Sequence, residues 1–278
     1  MNVCTHFAET EDTGTLEITA VFTSGPKGLT YCTPLRTPPG QPSCEMTSAI
    51  IAGCGESTGL ALARLFARRG LVVHGARRRP PEGTPETGIT MTAVDFREAD
   101  EVEKFVASVE ARSGPVKLAV HNIGANVRFS VADTSERVYR KTWELAALSA
   151  FHFAKALGPR MAARGEGTLI FTGATASTRG AANFSAFAGA MHAKRALAQS
   201  LARELGPSGV HVAHVIIDGP IDTPFVRQIV GDTAFEALRA KGGLLDPAAI
   251  AQAYWALHEQ PKTCLTQEID LRPWTEKF

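Results

Sequence analysis

Residues 48–70, SAIIAGCGESTGLALARLFARRG, decide the fold class, because an apolar run there breaks into glycines and then resumes with helical spacing. The pair Ile50 and Ile51 is typical of a short buried strand, and the later apolar residues recur as on one face of a helix. We therefore predict a strand, a tight turn and a helix. A helix that begins near Thr58 would direct its free N–H groups and positive dipole end at the turn, which suits a phosphate.

The predicted turn contains three glycines, Gly53, Gly55 and Gly59, that would let a dinucleotide pyrophosphate approach the backbone closely. Glycine spacing alone is a weak signal, since glycines also simply close strand-to-helix turns. The spacing G-x-G-x-x-G is not met, because position 58 is Thr. The interpretation as a nucleotide site therefore depends on the rest of the chain.

Composition indicates one globular domain without a strongly charged partner. The chain has 278 residues, 44% of them hydrophobic, which suffices for one core, and its 29 basic and 28 acidic residues give a net charge of +1. That balance argues against nucleic acid and anionic membranes as partners. Five cysteines without a C-x-x-C pair favour free thiols in a reducing compartment over a disulfide framework, and no apolar run is long enough to span a bilayer. We predict no metal site. We expect a soluble cytoplasmic protein.

The first 45 residues differ from the remainder. They contain three of the five cysteines and the Pro-rich stretch TPLRTPPGQPS, and they lack sustained periodicity, which predicts a disordered extension. Their acidic residues argue against a secretory or transit signal. Met46 would be a natural start for the compact domain 46–278, so the sequence leaves open whether the extension belongs to the mature protein.

From Met46 onward, strand-like and helix-like segments alternate. This order predicts an α/β fold with a doubly wound, parallel, seven-stranded, Rossmann-like sheet in a single domain. The predicted strands lie near Ile50 and over residues 71–76, 89–94, 117–121, 168–171, 210–217 and 265–271. The predicted helices begin near Thr58 and cover residues 99–111, 136–164, 184–205 and 248–258, while residues 222–243 are interpreted as a substrate loop.

Further motifs follow the strands in a recognisable order. The sequence places Asp95 after the third strand, His-Asn-Ile-Gly ending at Gly124 after the fourth, and Asp-Gly-Pro with Thr223 after the sixth. With these motifs the chain from Met46 to its C-terminus resembles the short-chain dehydrogenase/reductase family. The resemblance implies an adenine contact at Asp95, a cofactor turn at Asn122 and Gly124, and a segment beside the nicotinamide that includes Gly219 and Thr223.

The family's cofactor loop, Thr-Gly-x-x-x-Gly-x-Gly, aligns with residues 52–59 of this chain. The alignment keeps Gly53 and Gly59 but puts Ser57 at the middle glycine. A side chain at Ser57 would crowd the pyrophosphate, and Glu56 would place a negative charge near an anionic ligand. Both features predict weakened cofactor binding.

The second predicted strand ends with Arg77, Arg78 and Arg79. An acidic residue that would bind the ribose 2′-hydroxyl of NAD is missing there, whereas guanidinium groups suit the 2′-phosphate of NADP. The sequence therefore favours NADP over NAD as cofactor. The alternative interpretation of the three arginines is a solvated loop.

Members of this family use a Tyr, a Lys four residues later, a Ser and an Asn to move a proton while a hydride is transferred. The resemblance places these four roles on Phe187, Met191, Ala174 and Ala146. None of the four side chains can donate or accept a catalytic proton. The catalytic group is therefore unknown from the sequence.

Neighbouring polar residues are poor replacements. Lys194 follows Phe187 by seven residues, so it shares that helix face about two turns away, roughly 10 Å along the axis. His192 points elsewhere, and Ser185, Thr172 and Thr175 offer only unassisted hydroxyls. We expect structural roles for all five residues.

Two hypotheses remain. The first is an NADP(H)-dependent oxidoreductase that acts on an unknown small organic substrate with atypical or impaired chemistry. The second is a catalytically inactive nucleotide-binding or assembly module. The resemblance also implies a homo-oligomer formed through the two long helices, 136–164 and 184–205.

Overall fold

The computed structural model describes residues 46–80 and 87–276, in which seven parallel strands form one sheet in the order β3-β2-β1-β4-β5-β6-β7. The strands are β1 (Ser48–Ala52), β2 (Val72–Arg77), β3 (Ile89–Ala93), β4 (Val116–His121), β5 (Gly167–Ala174), β6 (Val210–Ile217) and β7 (Glu268–Leu271). The predicted doubly wound sheet is confirmed. The extension predicted for residues 1–45 lies outside the described residues.

The order of the strands creates a crevice at the middle of the sheet. The chain starts at the central β1, runs outward to β3, and then crosses back to β4 before continuing to β7. The loops after β1 and β4 therefore lead away in opposite directions, although their strands are neighbours. In open parallel sheets, ligands bind at such a switch point, beyond the carboxyl ends of the strands.

Helices cover both faces of the sheet. They are α1 (Thr58–Arg68), α2 (Ala99–Ser113), α3 (Glu136–Trp143), α4 (Ser149–Arg164), α5 (Ser185–Leu205), α6 (Pro224–Val230), α7 (Asp232–Ala240) and α8 (Pro247–His258). One apolar cluster packs α2, α4 and α5 against the sheet, and a second packs α1 and α8 against the other face. In the second cluster, Phe66 and Trp255 have ring centroids 5.9 Å apart.

The helix predicted over residues 136–164 is interrupted by a π-helical turn, Glu144–Leu148, between α3 and α4. Ser149 lies just after this turn, and its hydroxyl donates a hydrogen bond to the Leu145 carbonyl at 2.5 Å. Ala146 is within the turn and is fully buried. The apolar spacing of the sequence is averaged over several turns, so it did not reveal a single inserted residue.

Residues 222–243 are largely helical, where the sequence analysis expected a loop. Thr223 accepts a hydrogen bond from the Val226 N–H at 3.1 Å and so caps α6. Phe235 of α7 is buried under the guanidinium groups of Arg227 and Arg239, at 4.5 and 4.9 Å from its ring centroid. Both helices are short, and contacts between one aromatic ring and two arginines help to hold them together.

Candidate functional site

A cavity of about 370 Å³ opens beyond the carboxyl ends of β1, β2 and β4, at the switch point of the sheet. Its lining comes from five separate segments and consists of Gly53, Arg77, Arg78, Arg79, Val94, Asp95, Phe96, Arg97, Ile123, Gly124, Leu145 and Ser149. Five predicted cofactor residues are therefore brought together, namely Gly53, Arg77, Arg78, Asp95 and Gly124. The fold thus brings together predicted residues up to 71 positions apart, from Gly53 to Gly124.

Two glycines of the loop after β1 are required by the chain's own packing. Gly53 has φ +81°, and a Cβ atom there would lie 2.8 Å from the Asn122 carbonyl oxygen. The Asn122 side chain donates a hydrogen bond to the Gly53 carbonyl at 3.2 Å, which joins the loops after β1 and β4. A Cβ at Gly59 would lie 2.7 Å from the Cα of Cys54, so glycine lets α1 pack directly on the loop.

Gly55 and Gly124 are different, because an added Cβ at either position meets no atom within 4 Å. Open space therefore lies beside both glycines. Ser57 precedes α1 but its side chain makes no capping hydrogen bond, and the first turn of α1 carries no acidic residue. An uncapped helix N-terminus beside open glycines fits a pyrophosphate group. The side chain of Glu56 is exposed.

Arginine side chains form one wall of the cavity. Arg77 ends β2 and is half-buried, while Arg78 and Arg79 are exposed. Within residues 46–80 and 87–276, no carboxylate forms a salt bridge with these three side chains. The wall is therefore a positively charged surface that suits a phosphate bearing two negative charges.

Asp95 is already engaged by a fourth arginine, Arg97, which the sequence analysis did not identify. The Arg97 Nε lies 2.9 Å from one carboxylate oxygen of Asp95, and its Nη2 lies 2.5 Å from the other. These hydrogen bonds hold the pKa of the Asp95 carboxyl group below its ordinary value. Asp95 is therefore ionised and fixed in orientation at the cavity wall. The only sequence signal was the spacing Asp-Phe-Arg.

Six predicted cofactor residues are not among those that line the cavity: Gly55, Ser57, Gly59 and Asn122, described above, and Gly219 and Thr223, which follow β6. A Cβ at Gly219, where φ is +148°, would lie 2.6 Å from the Cδ of Pro273. Thr223 is buried and caps α6. The structure thus gives both residues a role in packing the segment after β6.

The four positions aligned with the family's proton-transfer residues are close together in space. Ala146 of the π-helical turn, Phe187 and Met191 of α5, and Ala174 at the end of β5 belong to one apolar cluster. Phe187 and Met191 are only 7% and 2% exposed. The other members of the apolar cluster are Ala176, Ala188, Ala190, Val127 and Phe184. The side chains of this cluster are therefore hydrocarbon or thioether groups, which cannot donate or accept a catalytic proton.

The hydroxyl and imidazole groups near this apolar cluster are engaged or directed elsewhere. Ser185 and His192 are exposed. Thr172 lies within β5, not in the loop predicted after residue 171, and its hydroxyl is 2.8 Å from that of Tyr254 on the α8 face of the sheet. Burial raises the pKa of Tyr254. The Thr175 hydroxyl donates to a carboxylate that follows β6. These contacts support the structural roles expected for the residues.

Lys194 is fully buried, which the sequence analysis did not predict. Its Nζ donates hydrogen bonds to the carbonyl oxygens of Ile123 and Thr172, at 2.6 and 3.2 Å. Burial lowers the pKa of Lys194 from 10.5 to about 7. A buried lysine therefore lies directly behind the strand ends that form the site.

Among the described residues, no group of three or more His, Cys, Asp or Glu side chains is arranged to hold a metal ion. No described helix is both long and apolar enough to cross a membrane.

A family model described as enoyl-(acyl carrier protein) reductase matches residues 53–269. Among curated proteins, the 3-oxoacyl-[acyl-carrier-protein] reductase MabA of Mycobacterium bovis is 28% identical over 189 residues, which cover 68% of this chain and 75% of that protein. The match thus includes the cavity and the apolar cluster.

Solved structures give the same picture. A short-chain dehydrogenase from Rhodopseudomonas palustris is 36% identical and superposes with a TM-score of 0.69, covering 82% of this chain and 99% of that one. A structure of ElxO with NADP bound has a TM-score of 0.72 at 15% identity, covering 81% of this chain and 97% of that one. The second likeness concerns the fold alone.

Proposed function

Because the chain belongs to the short-chain dehydrogenase/reductase family, we propose that it is an NADP(H)-dependent oxidoreductase of a small organic substrate with an altered proton-transfer site. The observation that carries the proposal is the cavity at the switch point, where the open backbone of Gly124 lies beside three arginines that form no salt bridge with a carboxylate of the described residues. A pyrophosphate needs the first feature and a 2′-phosphate needs the second.

In this proposal each wall of the cavity binds one part of the dinucleotide. Gly55, Ser57 and the start of α1 lie along the pyrophosphate, and Arg77 and Arg78 pair with the 2′-phosphate. Asp95, held by Arg97, accepts a hydrogen bond from the adenine edge. Bound NADPH would supply a hydride to the substrate. The arginine wall favours NADP over NAD, because guanidinium groups gain little from an uncharged ribose hydroxyl.

The chemistry proposed for the substrate follows from the apolar cluster. In this proposal, positions 146, 174, 187 and 191 take the places of the Asn, Ser, Tyr and Lys of related enzymes, and none of the four side chains can donate or accept a catalytic proton. Loss of a positioned general acid costs about 10²–10⁴ in rate for carbonyl reduction. Reduction of an activated alkene or an iminium depends less on such an acid. We therefore place the substrate in that class.

A second candidate function is a nucleotide-binding or assembly module without turnover. It is favoured by the packing of Phe187 and Met191, which are almost completely buried, as expected for residues selected to fill a core. The two candidates share the cofactor site and differ only in whether a substrate is reduced.

One pair of measurements tests both functions. NADPH fluorescence is titrated with the purified protein, and NADPH consumption is then followed with panels of carbonyls, activated alkenes and iminium ions. Binding with turnover of an alkene or iminium supports the oxidoreductase, whereas binding without any turnover supports the module. Failure of NADPH and NADH to bind at millimolar concentration would contradict both.

We also propose a cytoplasmic homo-oligomer that pairs through the long helices. Three large apolar side chains, Tyr139, Trp143 and Phe151, lie along α3 and α4 and are 50%, 44% and 47% exposed. Gly189 of α5 is exposed beside Tyr139, whose hydroxyl lies 3.4 Å from an added Cβ at that glycine. Light scattering of the wild type and a Trp143→Glu variant tests the proposal, which requires the variant to dissociate.

A further inference from the structure

Lys194 is a fully buried cation without a carboxylate partner among the described residues, and the proposed reaction does not use it. It lies on α5 three residues after Met191, about one helical turn further from the start of the helix. Burying a lysine is costly unless its hydrogen bonds are satisfied. Its retention in the core therefore calls for a physical explanation.

The two carbonyl groups that Lys194 contacts lie at the carboxyl ends of two neighbouring strands, β4 and β5. Ile123 is the second residue after β4 and lines the cavity, and Thr172 is in β5 two residues before Ala174. One ammonium group therefore links the ends of β4 and β5. Asn122 is adjacent to Ile123, and its side chain donates a hydrogen bond to the Gly53 carbonyl in the loop after β1. Lys194 is therefore connected through Ile123 and Asn122 to the loop that is proposed to bind the pyrophosphate.

Two histidines face Lys194 from the neighbouring strands, His121 of β4 and His214 of β6. Burial lowers the pKa of both histidines, and the charge of Lys194 lowers it further. The Nε2 of His121 is 2.9 Å from the Ser149 hydroxyl, and the Nδ1 of His214 is 2.9 Å from a carboxylate oxygen of Glu268. Both rings are therefore neutral near pH 7, and each has one hydrogen-bonded ring nitrogen.

Carboxylates on the elements packed against α5 already have other cationic partners. Glu268 of β7 pairs with Arg195 at 2.6 Å, and Glu144 of the π-helical turn pairs with Lys141 at 2.6 Å. Among the described residues, Lys194 therefore has only carbonyl oxygens as hydrogen-bond partners. Burial without a counterion explains why it loses its proton near neutral pH.

The charge of Lys194 changes the strength of its two hydrogen bonds. The 2.6 Å bond to the Ile123 carbonyl has the length of a charge-assisted bond, and such bonds are roughly twice as strong as neutral ones. Loss of the proton therefore weakens the link between α5 and the ends of both strands. The glycine-lined backbone at the cavity would then be held less firmly.

We propose that Lys194 is a positioning residue for the dinucleotide site, and that its ammonium group holds the ends of β4 and β5 in the geometry that binds NADPH. The inference rests on the proposed function, because it concerns the same cavity. An anionic cofactor stabilises the ammonium form, so binding and protonation favour each other. As pH rises above neutrality, the affinity for NADPH should therefore fall. The total fall should be roughly tenfold for each unit by which NADPH binding raises the pKa of Lys194.

The test is calorimetric titration of NADPH from pH 6.5 to 9 with the wild type, Lys194→Arg, Lys194→Met and Lys104→Met. Lys194→Arg keeps the charge at every pH, so it should bind NADPH within a few-fold of the wild type at pH 6.5 and lose the fall at high pH. Lys194→Met should bind about tenfold more weakly at pH 6.5, without that fall. Lys104, an exposed lysine on α2, is the matched control and should behave as wild type.

Comparison with Lys194→Arg at each pH removes the titration of the cofactor's own 2′-phosphate, which is common to all proteins. A Lys194→Met variant that binds NADPH with the wild-type affinity and pH profile would overturn the inference. If Lys194→Met does not fold, a Lys194→Arg variant that retains the wild-type pH profile overturns it equally.

A second readout separates this inference from the proposed function. Amide hydrogen exchange of residues 122–124 and 172–174 is measured in the free protein, corrected for the intrinsic pH dependence of exchange. Protection should fall between pH 6.5 and 8.5 in the wild type but stay constant in Lys194→Arg. Unchanged protection contradicts the role of Lys194, whereas pH-dependent protection in a protein that binds no dinucleotide contradicts only the proposed function.

Discussion

The two ends of the proposed site differ sharply in chemistry. At one end, Arg77, Arg78 and the Asp95–Arg97 pair surround the cavity with charges and hydrogen-bonding groups. At the other end, Phe187 and Met191 are packed with alanines into an apolar cluster. In the proposed function the first end binds the dinucleotide, and the second lacks a group that can protonate a ketone. Binding and proton transfer would then depend on different strands and helices of one fold.

The largest expected effect comes from restoring the reaction end. The combined change Ala174→Ser, Phe187→Tyr and Met191→Lys should raise the rate of NADPH-dependent carbonyl reduction by about 10²–10⁴-fold, because a positioned acid and its supporting lysine return. Steady-state kinetics on a carbonyl panel measures the gain. Phe187→Tyr alone is the control and should give much less, since these groups act together.

If the combined variant binds NADPH as the wild type does but reduces no carbonyl faster, the four aligned positions do not lie at the reaction centre. The apolar cluster would then not mark the place where the substrate reacts.

A smaller effect is expected at the binding end. Arg77→Ala with Arg78→Ala should weaken NADPH binding by about 10–100-fold, as expected for losing hydrogen bonds between charged groups, and should leave NADH binding nearly unchanged. Fluorescence titration with both cofactors measures the difference. Arg203→Ala, an exposed arginine near the end of α5, is the matched control. Equal weakening of NADPH and NADH would refute the assignment of these arginines to the 2′-phosphate.

The buried lysine behind both ends should make stability depend on pH. The unfolded chain keeps the Lys194 proton up to about pH 10.5, whereas the folded chain loses it near pH 7. The unfolded state therefore binds more protons between these values, so the free energy of unfolding should rise with pH, by at most about 1.4 kcal/mol per pH unit.

Urea unfolding at pH 7, 8 and 9 measures this rise, and Lys194→Met should flatten it. The range stops at pH 9 because burial raises the pKa of Cys54 from 9.0 to about 11, which opposes the rise once the unfolded thiol ionises. A wild-type stability that stays constant over this range would show that the lysine keeps its proton in the folded protein.

The smallest effect is expected from Arg97→Ala. Asp95 would lose the partner that orients it, and both side chains are about one-fifth exposed, so solvent would replace part of the interaction. NADPH affinity should fall only a few-fold, as measured by the same titration, with Arg112→Ala as the control. A loss as large as that from Arg77→Ala and Arg78→Ala would mean that Arg97 itself contacts the cofactor.

Sequence reasoning recovered the whole sheet and much of the cavity, because those features have local causes. The alternation of apolar runs and helical spacing predicts βαβ order, and the glycines after β1 report a tight turn. It did not recover α6 and α7, whose stability depends on Phe235 between two arginines. It also predicted cofactor contacts at Gly219 and Thr223. These contacts stay predictions, and the structure gives both residues packing roles.

By itself, then, the sequence determined the fold class, the glycine loop, the arginines that end β2 and the apolar residues at the four aligned positions. Only the tertiary structure decided that Arg97 holds Asp95, that a π-helical turn carries Ala146, and that Lys194 reaches two strand ends. The physical reason is range. Periodicity and turn chemistry act between neighbours in the chain, whereas a buried ammonium group 71 residues from the Ile123 carbonyl finds its partner only when the strands are assembled.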